Sequence, residues 1–116
     1  MKPRVLFIVT GDPRTSPRPA EAVRIAAGVA AWKKADIAVY LREEAVLALG
    51  ESSGGLVEEE DYARYWPILA ESSQPIYAQK NSAALRELGQ AAVAFREISD
   101  AQLAELAAQQ TCVIRF

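Results

Sequence analysis

Apolar positions along this chain alternate between short unbroken runs and longer stretches with helical spacing. Val5-Leu6-Phe7-Ile8-Val9 is one such run, as expected for a strand covered on both faces of a sheet. It stops at Thr10-Gly11-Asp12-Pro13-Arg14, a loop by its Gly and Pro. Ser16 is placed to cap a helix whose first residue is Pro17, where a missing N–H costs nothing. That helix is expected to reach Trp32–Lys34, with Lys33 and Lys34 complementing the dipole of its last turn. Val23, Ala26, Ala27 and Ala30 form one apolar stripe, and Ile25, Val29 and Trp32 form a second. A surface helix needs only one, so a sheet is expected on one side and a neighbouring helix or subunit on the other.

The same alternation continues to the end of the chain. Ile37–Leu41 reads as a second strand, followed by a short helix Ala45–Leu49 closed by Gly50. Glu51-Ser52-Ser53-Gly54-Gly55 has the composition of the most flexible segment. A third helix starts near Glu58, with acidic residues through Asp61 suited to its first turn. Pro67 is expected to kink or split it. Tyr62, Tyr65, Trp66 and Leu69 recur at helical spacing, a stripe that belongs to the core or to a subunit interface. Pro75–Gln79 reads as a third strand, Ser82–Leu88 as a helix stopped by Gly89, and Ala92–Phe95 as a fourth strand. Ser99 and Gln102 have capping-box spacing ahead of a helix Ala101–Gln109, and Thr111–Phe116 closes the series as a fifth strand. Strand and helix in alternation predict an α/β class: a three-layer α/β/α single domain spanning 1–116, with a mainly parallel five-stranded sheet.

Composition narrows the chemistry. The 116 residues suffice for one core, and 51% are hydrophobic. A net charge of −2 with interleaved signs gives no footprint for nucleic acid or an anionic membrane. No apolar run approaches a membrane span, and Val5–Val9 is too short for a signal-peptide core. One cysteine cannot form an internal disulfide, which predicts a cytoplasmic setting. The absence of histidine is the strongest exclusion. It removes Ser-His-Asp and Cys-His catalysis and the usual zinc sites, and no cofactor or metal is expected. Gly11-Asp12-Pro13 lacks the second glycine and the Lys-Ser/Thr pair of a P-loop.

Three stretches carry a family resemblance. Arg4–Asp12 with the alanine-rich helix behind it, Ile37–Leu41 with Ala45–Leu49, and Ile98-Ser99-Asp100 through Phe116 resemble the DsrE/DsrF/DsrH-like sulfur-relay family. The resemblance implies a three-layer domain assembling as trimers or hexamers, or as a subunit of a related hetero-complex. It also implies sulfur transfer in members with a persulfide cysteine at the end of the third strand. That position falls within Ala78–Lys80 here, with Gln79 its expected occupant. Glutamine forms no thiolate, so the family's nucleophile is missing and no catalytic residue is expected.

The remaining chemistry gathers at the expected carboxyl ends of the strands, where ligands of parallel sheets bind. Strand one leads to Asp12, Arg14 and Arg18, strand two to Arg42, strand three to Gln79, Lys80 and Asn81, and strand four to Arg96. Cations beside helix starts suit a phosphate, sulfate, thiosulfate or carboxylate. Alternatively these are solvated strand ends, with Glu43 and Glu97 neutralising their arginine neighbours. Cys112, between Thr111 and Val113, reads first as a small hydrophobe in a buried strand. Its alternative role is a candidate thiol displaced from the usual place. Arg115, three residues on, falls on the opposite strand face. The expectation is a non-catalytic, homo-oligomeric binding or accessory protein for a small anion or sulfur-containing metabolite. The alternatives are a sulfurtransferase using Cys112 or a partner's thiol, and a purely structural subunit.

Overall fold

The computed structural model describes residues 2–50, 55–72 and 74–116. Five strands, β1 (Arg4–Val9), β2 (Asp36–Leu41), β3 (Ile76–Gln79), β4 (Arg96–Ile98) and β5 (Cys112–Arg115), form one sheet in the order β4-β3-β2-β1-β5. Every pairing is parallel. Four α-helices, α1 (Arg18–Ala31), α2 (Glu59–Ala70), α3 (Ala83–Glu87) and α4 (Asp100–Ala108), and a 3₁₀ segment Glu43–Leu49 connect them. The architecture is the expected three-layer α/β fold. The segment 51–54, expected to be flexible, lies outside the described residues.

The faces of the sheet are unequal. Steps from β1 through β4 run one way, which leaves α1, the 3₁₀ segment, α2 and α3 on one side. There Phe7, Val9, Val23, Ala26, Ile37, Val39, Val46, Trp66 and Leu69 form the main core. Alanines on α1 let its backbone approach the sheet closely. Only α4 crosses the other face, where Leu6, Ala38, Tyr40 and Ile98 pack with Leu103 and Leu106. The aromatic stripe of α2 is core: Tyr62, Trp66 and Leu69 are buried. The second stripe of α1 is covered poorly, with Ile25 exposed and Trp32 74% exposed.

Several boundaries differ from expectation. The helix α1 ends before Lys33, which leaves it in a left-handed turn (φ 59°), so neither lysine occupies its last turn. The helix also starts one residue later than expected: Pro17 is its N-cap and makes no side-chain cap bond, while Ser16 lies just outside and accepts from the Arg18 N–H at 3.2 Å. Pro67 does not split α2, which runs unbroken to Ala70 with the proline ring exposed. Only one backbone donor is lost there. The fourth strand is not Ala92–Phe95. The Ala92 N–H donates to the Leu49 carbonyl at 2.8 Å and Ala91 bridges Gly50 antiparallel, so sheet pairing starts only at Arg96. The capping box of Ser99 and Gln102 forms as expected, and Ser82, expected as the first residue of its helix, is instead the N-cap, accepting from the Leu85 N–H.

Candidate functional site

Because all strands are parallel, their carboxyl ends share one edge, and neighbours in register share a face. On the α4 side of that edge stand Ile8, Tyr40 and Arg115, which are side by side in the ladder. Arg42 and Thr10 extend the same parity beyond the ends of β2 and β1. On the α1 side stand Val9 and Leu41.

The Asp12–Arg14 loop closes on itself. One Asp12 oxygen accepts from the Arg14 backbone N–H and from Nε, each at 2.9 Å. The other accepts from Nη2 at 2.9 Å. These bonds hold the Asp12 carboxyl below its usual range. The second nitrogen of Arg14 lies 4.0 Å from Glu87. A small cleft of about 90 Å³ beside it is lined by Arg14, Glu43, Glu44 and Glu87. Three carboxylates around one committed guanidinium disfavour an anion there. Arg18 lies elsewhere, 5.9 Å above the ring of Phe116, which stacks on Phe7 at 5.8 Å. Arg14 and Arg18 thus share the α1 side without sharing a site.

Arg42 is held from two sides on the α4 face. Its Nη1 donates to the Tyr40 hydroxyl at 3.3 Å and to Asp100 at 3.0 Å, and Nε lies 3.9 Å from Glu43. The Asp100 bond raises the Arg42 pKa, and burial raises that of Tyr40. Gln79 is a clasp: its side-chain oxygen accepts from the Glu43 N–H at 2.8 Å, where Glu43 adopts the left-handed conformation (φ 56°). Asn81 also adopts it (φ 64°), in the turn after β3. The Lys80 side chain is exposed and, among the described residues, pairs with no acid.

Two expectations need correction. Arg96 is paired with Tyr77 at the start of β4, so it does not reach the carboxyl edge. That edge receives Ser99 and Asp100 from β4, an acid in place of a cation. Cys112 is exposed, not buried, because β5 is an edge strand whose four residues are all exposed. Cys112 pairs with Val5 at the amino end of the ladder, about 10 Å along the strand from the carboxyl edge at ~3.3 Å per residue. Arg115 faces away from it, as the strand alternation required.

Arg115 and Thr10 were not among the expected site residues. Their signal was the strand parity, legible only once β5 is known to lie beside β1. Together with Ile8, Arg42, Leu103 and Phe116 they line a cleft of about 430 Å³. It opens where the strand order turns back at β1, the place where open parallel sheets bind ligands. A larger cleft of about 610 Å³ lies at the opposite end, bordered by Leu69, Gln74, Tyr77 and Phe95, with Arg96 its only cation.

The fold is a parallel three-layer α/β domain. A sequence model of the DsrE/DsrF-like family matches residues 3–116, and the chain belongs to that family. Its fold is similar to that of the ychN protein from E. coli, with a TM-score of 0.80 over the full length of both chains at 19% identity. No curated protein matches it by sequence. No helix among the described residues is long and apolar enough to cross a membrane.

Proposed function

We propose that this chain is an accessory member of the DsrE/DsrF-like family that binds a small anionic or sulfur-containing metabolite and carries no persulfide itself. The observation that supports it most directly is Gln79. The residue at the end of β3, where the family resemblance expects the nucleophile, spends its side-chain oxygen on clasping the Glu43 N–H at 2.8 Å. Such a group holds a loop and performs no nucleophilic chemistry. A lone thiol suits a reducing, cytosolic setting.

A second reading is a persulfide carrier using Cys112, favoured by the exposure of that thiol. The two differ in a single experiment: incubation with a persulfide donor, followed by intact mass, for the native chain and Cys112→Ser. An unchanged native mass supports the accessory role. Sulfur addition that disappears in Cys112→Ser replaces it with the carrier role.

The accessory protein self-associates, in this proposal, through the outer face of α1. Trp32 is 74% exposed, and a Cβ added at Gly28 would meet nothing within 4 Å. Beside them runs an open groove of about 360 Å³ that Arg24, Ile25 and Tyr65 also line. Two copies set antiparallel about Gly28 bring each Arg24 against the partner's Trp32, four residues away on either side, a cation–π pair. Sedimentation of the native chain and of Trp32→Gln tests this. Identical masses would remove α1 as the interface.

A further inference from the structure

The cleft between β1, β5 and α4 has a composition that specifies a ligand more closely than the edge as a whole. Its apolar walls are Ile8 and Leu103, Phe116 touches its rim while its ring stacks on Phe7 on the other face, and its charged groups are Arg42 and Arg115. At about 430 Å³ it is of a size that holds small organic molecules. The two cations differ. Arg42 is fixed by Tyr40 and Asp100 and has Glu43 nearby, so most of its charge is answered. Arg115 pairs with no acid among the described residues. The Thr10 hydroxyl is turned to the Phe116 carbonyl, donating at 2.9 Å, which leaves its oxygen lone pairs and not its proton toward the cleft.

A single guanidinium without an ion pair beside an apolar wall does not suit a compact dianion such as phosphate or sulfate. Those keep their hydration unless several unpaired donors replace it. It suits a single charge attached to an apolar body. We infer that this cleft binds an organic monoanion, a carboxylate or sulfonate-type head on a short hydrocarbon body. The head sits at the Arg115 guanidinium with Arg42 beside it, and the body lies along Ile8 and Leu103. This deepens the binding role proposed above and rests on it. It also moves the ligand from the Arg14–Lys80 side of the edge, where Glu43, Glu44 and Glu87 gather, to the α4 side.

The test is an amide NMR titration of the full chain carrying Cys112→Ser, so that thiol chemistry cannot contribute. The probes are hexane-1-sulfonate, hexanoate, 1-hexanol and inorganic sulfate. The two organic anions are expected to shift the amides of Thr10, Leu103 and Phe116 saturably, while hexanol and sulfate leave them nearly unmoved. Arg115→Gln, an exposed edge-strand change that spares the core, should weaken the organic anions roughly tenfold or more, the value of one charge-assisted hydrogen bond. Leu103→Asn should weaken them as well. Hexanol binding as well as hexanesulfonate, shifts centred on Arg14 or Lys80, titrations unchanged by Arg115→Gln, or no shift at all would each overturn the assignment. None of these outcomes bears on whether Cys112 takes up sulfur, so failure here is separable from failure of the accessory role.

Discussion

Two aromatic residues one turn apart on α2 should respond to the same truncation with opposite signs. Trp66 is 3% exposed and its indole N–H donates to the Ala48 carbonyl at 2.9 Å, tying α2 to the 3₁₀ segment behind the carboxyl edge. Trp66→Phe removes that donor and leaves the carbonyl short of a partner in an apolar surrounding, at a cost of about 1–3 kcal/mol. The smaller ring adds a cavity contribution of about 1 kcal/mol, giving about 2–4 kcal/mol in all. Tyr62 is 2% exposed and stacked on Trp66 at 6.4 Å, yet among the described residues its hydroxyl has no hydrogen-bond partner. Tyr62→Phe deletes a desolvated, unpaired hydroxyl and keeps the ring, so stability should be unchanged or rise by up to about 1 kcal/mol. Urea unfolding followed by far-UV dichroism checks both. Trp66→Phe should lower the midpoint by roughly 1–2 M and Tyr62→Phe should not lower it, with the slope m constant in each. A loss of more than about 1 kcal/mol in Tyr62→Phe would show that the hydroxyl is bonded and that the account of this helix is wrong.

The same tyrosine sets a pH dependence. Burial, with a smaller contribution from Asp61, pushes the Tyr62 pKa well above its ordinary value, and burial also raises that of Tyr40. A raised folded pKa gives stability that is fully present below the unfolded value of about 10 and is lost as pH climbs past it. Alkaline unfolding should therefore be steeper in the native chain than in Tyr62→Phe, and superimposable curves would contradict it. Asp12 works in the other direction. Its carboxyl is held low by Arg14, so the loop contact persists above the unfolded pKa of about 3.9 and is lost as pH falls further. The Arg14 Nε–H signal should broaden into exchange in that acidic range and be absent from Asp12→Asn at neutral pH. Gln79→Cys places a thiol at the carboxyl end of β3, and intact mass after a persulfide donor should show one added sulfur on the Cys112→Ser background. An unmodified chain would mean that this edge does not activate a thiol even when it holds one. Asp100→Asn releases Arg42 from its 3.0 Å partner, leaves it with Glu43 at 3.9 Å, and should tighten hexanesulfonate binding several-fold. Unchanged affinity would mean that Arg42 takes no part.

The order of strands and helices was legible in the sequence because each element states its own burial pattern. Val5–Val9 is apolar at every position and must lie inside a sheet, whereas α1 repeats alanine and valine at helical spacing. The capping residues Ser99 and Gln102 act locally, within three residues, so their roles could be read without knowing the fold. The absence of histidine was also a fact of composition, whereas the expectation of a nucleophile at Gln79 came from the family resemblance. What sequence could not supply was pairing across long separations. Ala92–Phe95 looks as apolar as a strand, but Ala91 and Ala92 bond to Leu49 and Gly50, and the ladder moves on to Arg96. That single displacement withdraws Arg96 from the carboxyl edge and delivers Asp100 to Arg42. Cys112 and its neighbours look like a buried strand, yet parallel pairing only with β1 makes β5 an edge strand and exposes the thiol. Face and edge are properties of the assembled sheet, set by which strand lies beside which. The local chain determined what each residue is able to do, and tertiary pairing decided that Arg115 stands beside Ile8 on the α4 side while Arg14 is tied to Asp12 near Glu87.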